Sequence, residues 1–239
     1  MSIGRSSTAS EMESENSRST EFEKRRLYGA LSLFLWATSA AAGPVSGVVQ
    51  TTVRAGTTAT QAVVFAEPLD RPATPKGVKA SLTQKDKSFS PDVLGVPVGS
   101  TIDFPNADPI FHNVFSLSPP APFDLGLYRA GASRTRVFSA PATYRVFCNI
   151  HPQMTALVVV VPTPFVTVTG KDGNFSLELP PGTYRLTAIS GRAVPTVKEI
   201  SVPASGLRVD GLALDERPFS DEPHKNKFGK EYPREAYRQ

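Results

Sequence analysis

The chain has 239 residues, 40% of them hydrophobic, with a formal net charge of +4 at pH 7 and a single cysteine. That is enough apolar material for one large or two small folded units, and it excludes an internal disulfide. The mild positive charge is scattered along the chain and not gathered into an aromatic-interleaved stripe, so a nucleic-acid partner is not expected.

Residues 1–23 are rich in Ser, Glu and Thr, the composition of disordered chain. Then come Lys24-Arg25-Arg26, an apolar run over 27–37 and small residues over 38–43. A basic flank, a short apolar core and a small-residue end make a secretory signal peptide. The apolar run is well short of the roughly twenty residues that a membrane span needs. Residues 1–42 are therefore expected to direct export to the periplasm, with cleavage after Ala40 or Ala42. Left uncleaved, the same segment would act as a membrane anchor. Its removal takes away five basic and five acidic residues, so the charge stays at +4.

Beyond residue 42, 3.6-residue apolar periodicity is missing. Frequent Pro, Gly, Val, Thr and Phe predict short strands joined by turns, an all-β chain. Strands are expected at 45–53 and 61–67, followed by a proline-containing connector over 68–76. Further strands are expected over 78–84 and on both sides of the Pro97-Val98-Gly99-Ser100 turn. Segments 112–117, 123–128, 135–138, 144–148 and 155–161 complete this stretch. After Pro162, strands are expected at 165–169, 174–179, 183–190, 197–202 and 207–214, separated by Asp-Gly and Pro-Gly turns. The polar, charged tail over 216–239 is expected to be largely disordered.

The chemistry concentrates in Phe147-Cys148-Asn149-Ile150-His151-Pro152-Gln153-Met154. This run holds the only cysteine, one of three histidines, and the only methionine beyond residue 12. His112 lies 36 residues before Cys148. Two His, one Cys and one Met are the donor set of a blue-copper electron-transfer site. Thiolate and thioether favour Cu(I), and a trigonal His₂Cys set with a weak axial Met suits both oxidation states. Zinc is the competing metal, but Met is a poor zinc ligand and no carboxylate sits in the motif for hydrolysis. The spacing Cys-x₂-His-x₂-Met fits a loop between neighbouring strands.

Over residues 76–162 the chain resembles the cupredoxins, the plastocyanin and amicyanin family. His112-Asn113-Val114 matches the segment of their first ligand, and the Cys-x₂-His-x₂-Met loop with Pro152 matches amicyanin. The resemblance implies a Greek-key β-sandwich holding one type 1 copper on His112, Cys148, His151 and Met154. It also implies that the Asn113 side chain braces the ligand loop, and that His151 is the solvent-facing electron portal. Residues 163–215 resemble a second, small sandwich, the carboxypeptidase-regulatory-like (transthyretin-like) module, through Thr169-Gly170-Lys171-Asp172-Gly173-Asn174-Phe175 and Leu179-Pro180-Pro181-Gly182-Thr183-Tyr184-Arg185-Leu186. Residues 43–75 are candidates for its missing opening strands, which would make the cupredoxin an insertion in a split sandwich. This combination resembles exported methylamine-utilisation or plastocyanin-like bacterial proteins. These usually carry an acidic residue and an aromatic where Pro152-Gln153 stands.

Other candidates have plainer readings. Asp103 and Asp108 are expected at turns or strand ends, Asp172 in its turn, and Phe111, Phe115 and Phe147 in the core. His224 is read as a solvated tail residue, with an auxiliary metal ligand as the alternative. The leading expectation is an exported, non-enzymatic carrier of single electrons with redox-protein partners. The alternatives are a protein that stores, delivers or senses copper without passing electrons, and a scaffold module without copper.

Overall fold

Seventeen strands and no helix run through residues 42–220 and 224–232, the residues described in this computed structural model. The expected export signal falls almost entirely at 1–41, outside the described residues. Among the described residues no helix is long and apolar enough to cross a membrane. In chain order the strands are β1 (Gly43–Thr52), β2 (Val63–Pro68), β3 (Lys79–Ser81), β4 (Thr83–Lys85), β5 (Ser88–Ser90), β6 (Val93–Pro97), β7 (Ser100–Pro105), β8 (His112–Ser116) and β9 (Phe123–Tyr128). They continue with β10 (Ser133–Phe138), β11 (Ala142–Phe147), β12 (Thr155–Val161), β13 (Val166–Val168), β14 (Asn174–Leu179), β15 (Gly182–Ile189), β16 (Thr196–Val202) and β17 (Leu207–Asp215). The all-β expectation holds.

One sandwich is built from a five-stranded sheet, β6-β12-β11-β8-β9, facing a three-stranded sheet, β10-β7-β3, with β4 and β5 as a separate hairpin. Alternation along each strand sends one face inward. Ile102 and Phe104 of β7 meet Val114 of β8, Tyr144 and Val146 of β11, and Val158 and Val160 of β12. Phe123, Phe138 and Tyr144 pack as tilted and edge-to-face aromatic pairs 5.1–6.0 Å apart. Such pairs add roughly 0.5–1.5 kcal/mol beyond the area they bury. Cys148 and Met154 belong to this core and are fully buried.

The second sandwich joins strands from both ends of the chain. β1 lies between β14 and β17, and β2 between β13 and β15, which carries β16 on its other edge. Its core draws Val45 and Val49 from β1, Val64 and Ala66 from β2, and Leu177, Leu186, Val202 and Leu212 from the later strands.

The two sandwiches meet through a third apolar cluster. Val63 and Phe65 of β2 pack with Val93 of β6 and with Leu157, Val159 and Val161 of β12. Both faces of β2 and of β12 are therefore covered, which explains their unbroken apolar runs Val63-Val64-Phe65-Ala66 and Leu157-Val158-Val159-Val160-Val161. The sheets approach most tightly at Gly95 of β6, where an added Cβ would lie 2.6 Å from Val63 Cγ1 and 2.9 Å from Val166 Cγ2. Both contacts are with stiff β-branched side chains. Gly95→Ala is therefore expected to destabilise the protein by about 1–3 kcal/mol, the cost of overpacking. Urea denaturation checks this, and an unmoved midpoint would mean that the sheets part freely here.

Candidate metal centre

His112 opens β8, and Cys148 follows the last residue of β11. These strands are antiparallel neighbours with Phe147 opposite Phe115, so the chain leaving β11 runs back alongside β8 towards its first residue, His112. The loop 148–154 then turns the chain into β12. It is closed by two backbone bonds, Met154 N–H to His151 O at 3.0 Å and Cys148 N–H to Met154 O at 3.3 Å. This tight turn brings His151 back over Cys148.

The three donors converge in the buried interior. His112 Nδ1 lies 3.1 Å from His151 Nδ1 and 3.9 Å from Cys148 Sγ, and His151 Nδ1 lies 3.7 Å from Sγ. All three side chains are buried, His151 least completely. A triangle with these sides has its centre about 2.1 Å from every corner, matching metal–imidazole and metal–thiolate bonds of about 2.0–2.3 Å. A proton shared between the imidazoles would satisfy one edge of that triangle. A cation at the centre satisfies all three. Met154 is fully buried in the core that also contains Cys148. The donor set and its spacing therefore fit copper.

The outward nitrogen of His112 is fixed by a carboxylate. Nε2–H donates to Asp108 Oδ2 at 2.7 Å, which leaves the Nδ1 lone pair facing the other donors. Asp108 is itself held by the β4–β5 turn. The backbone N–H groups of Asp86 and Lys87 donate to its two oxygens at 2.6 and 2.9 Å. Both turn residues have φ of 53°, the left-handed pair of a tight hairpin turn. Burial alone would raise the Asp108 carboxyl. The bonds from Lys87, His112 and Asp86 outweigh it and hold the group below the ordinary carboxylate range. Asp108 thus has the expected turn role and also orients His112, a role that sequence spacing did not reveal. Burial, His112 and Lys87 together lower the pKa of His151, so its neutral form, with a lone pair to offer, prevails at pH 7.

Four expectations are corrected. Asn113 does not brace the ligand loop with its side-chain amide. Its Nδ2 donates to Asp124 Oδ1 at 2.7 Å and to Gly126 O at 2.8 Å, because β9 is the strand beside β8. Phe111 is not a core residue but is 53% exposed, since it precedes β8 in a loop; Phe115 is buried as expected. The tail is not wholly disordered, and His224 is not merely solvated. Residues 224–232 lie on the ligand loop, where His224 stacks on Phe147 with ring centres 4.0 Å apart. Tyr232 O–H donates to Cys148 O at 2.9 Å.

No protein-family model matches the chain, and no curated protein matches its sequence. Among solved structures, similarity extends to a copper-containing nitrite reductase (NirK) from Thermus scotoductus SA-01. The identity is 28% over 40% of this chain and 25% of that one, with a TM-score of 0.33. This chain thus spans about a quarter of the reductase. A purple cupredoxin from Nitrosopumilus maritimus is 26% identical over 34% of this chain and 99% of its own, with a TM-score of 0.32. An amicyanin mutant in its Cu(I) form is 20% identical over 41% and 99%, with a TM-score of 0.33. Superpositions at these scores define no family, and the donor geometry carries the functional reading.

Asp124 links the surroundings of the site to acid stability. Burial would raise its carboxyl, but Lys227, Asn113 and Gly126 N–H bind it and hold it below the ordinary carboxylate range. A depressed carboxylate stabilises the fold above its unfolded pKa of about 3.9, and that contribution is lost as pH falls through the folded value. Asp124→Asn is expected to lower stability at pH 7 while flattening the acid limb of the stability–pH curve below about pH 4. Thermal denaturation across that range measures both effects; an unchanged acid limb would remove Asp124 from the linkage.

Proposed function

We propose that this protein is an exported, non-enzymatic type 1 copper protein that carries single electrons. The observation that carries the reading is the buried His112–Cys148–His151 triangle, with all three edges between 3.1 and 3.9 Å. Cys148 would hold the metal through its thiolate, His112 and His151 through Nδ1, and Met154 more weakly through its thioether. Bound there, copper supplies a one-electron Cu(I)/Cu(II) couple. The chain supplies the rigidity. His112 is oriented by Asp108, Cys148 and Met154 are locked in the core, and His151 is set by the short loop.

Four protein donors around one ion leave no open position for a substrate, which supports a carrier over a catalyst. His151 is the less buried of the two imidazoles, which suits an electron portal. Ile110, Phe111 and Ile150, which immediately precede the two histidines in the chain, are exposed and suit the brief docking of a redox partner. The signal-like segment supports a periplasmic location. The sandwich formed by β1, β2 and β13–β17 is, in this reading, a transthyretin-like scaffold interrupted by the copper-binding one.

The purified mature chain with one equivalent of Cu(II) is expected to show an intense visible thiolate-to-copper band that bleaches and returns on redox cycling. A colourless Cu(I)-only complex would instead indicate copper storage or delivery, and no stoichiometric binding would sink the metal reading. Cys148→Ser is expected to abolish the band. Met154→Leu is expected to keep it and raise the reduction potential, as voltammetry would show; loss of the blue centre would make Met154 more than a weak axial donor.

A further inference from the structure

The loop 148–154 carries three of the four donors but closes on itself with only two backbone hydrogen bonds. Three of its other polar groups are engaged from elsewhere. The carbonyl of Pro152 accepts from His224 Nε2–H at 2.7 Å. The carbonyl of Cys148 accepts from Tyr232 O–H at 2.9 Å, and Asn149 Oδ1 accepts from Lys227 N–H at 3.0 Å. All three donors belong to the tail segment 224–232, more than seventy residues further along the chain. Its conformation is specific. The carbonyl of Lys230 accepts from Asn226 N–H at 2.8 Å, and Asn226 Oδ1 accepts from the N–H groups of Phe228 and Lys230 at 2.9 and 3.1 Å. Gly229, at φ 72°, turns the chain there.

The segment also reaches the other half of the donor set. Lys227 Nζ donates to Asp124 Oδ2 at 2.6 Å, and Asp124 Oδ1 accepts from Asn113 Nδ2 at 2.7 Å. Asn113 directly follows His112. One short stretch of tail is thus bonded to the Cys148–Met154 loop and, through Asp124, to the strand that begins with His112.

We propose that residues 224–232 form a strap that positions the ligand loop against β8, with His224, Lys227 and Tyr232 as positioning residues for the metal centre. The consequence for copper rests on the reading above, but the strap's hold on the loop does not. With the strap in place the loop keeps its donors at metal-binding separation and resists the opening that would let metal leave or reagents enter. No residue of this segment belongs to either sandwich core, although Tyr232 is buried. Its bonds instead gather on the loop that a metal site most needs to hold still.

Full-length variants test this without touching a donor. In metal-free protein, H224F keeps a ring against Phe147 but removes the bond to Pro152, and Y232F removes only the hydroxyl. The double variant is expected to be alkylated at Cys148 by iodoacetamide about tenfold faster than wild type, since each lost hydrogen bond is worth several-fold. Lys227→Met is expected to give about a threefold rise that Lys227→Arg reverses. In copper-loaded protein the double variant is expected to release metal to a chelator faster by a similar factor and to shift the thiolate band. Indistinguishable alkylation rates for wild type and the double variant would overturn the strap. Failure of wild type to bind copper would overturn the copper reading alone, with the alkylation comparison still deciding the strap.

Discussion

Three electron-pair donors held within 4 Å of one another in a dry interior are the constraint around which the rest of this chain is arranged. Two imidazole nitrogens and a sulfur brought this close turn lone pairs towards one another. The arrangement is favourable only when a positive centre sits among them or when the frame is stiff enough to hold them there. The frame does so from several sides. Antiparallel pairing of Phe147 with Phe115 runs the chain that leaves β11 back alongside β8 towards His112. The Asp86–Lys87 turn grips Asp108, which grips His112. The tail ties down the loop carbonyls of Cys148 and Pro152. Each support ends on the residue that bears a donor or on a neighbour of one.

The two sandwiches are not independent of that constraint. β12 begins one residue after Met154, and its opposite faces are buried in different cores: Val158 and Val160 in the donor-bearing sandwich, Leu157, Val159 and Val161 in the cluster between the sandwiches. A strand fixed on both faces cannot slip by one residue without exposing one apolar set and burying the other in the wrong place. Register at the exit of the ligand loop is therefore set partly by the second sandwich. Gly95, without a side chain, permits the contact.

Much of this was legible in the sequence for chemical reasons. Scarcity made Cys148, His151 and Met154 conspicuous, and their spacing implied a loop between strands, which is where the structure puts them. The expected bounds of β9, β12 and β14 match the observed strands to the residue. Other features left no local trace. The carboxylate of Asp108 meets His112 while held by a turn 21 and 22 residues upstream. Asn113 satisfies its amide on β9, a pairing that depends on strand order and not on sequence spacing. Phe111 is apolar like a core residue, yet it lies in a loop with nothing packed over it. Residues 224–232 of the tail are a similar case. Their composition is that of a solvated segment, and what orders them is a set of hydrogen-bond acceptors on the ligand loop that no tail sequence could announce.

The proposed one-electron carrier would need a site that changes little between its two states, and this bears on how the supports are distributed. Supports concentrated on one donor would let the others relax when the charge at the centre changes. Here Asp124 holds Asn113, next to His112, with one oxygen, and Lys227 of the tail with the other. The tail in turn holds the carbonyls of Cys148 and Pro152, on either side of His151. Movement of either donor-bearing segment is opposed by bonds that lead to the other. Carbonyl and carboxylate acceptors used this way leave all three donor atoms free. The clamp can therefore stiffen the site without competing for a bound metal, which is what the proposed carrier would require.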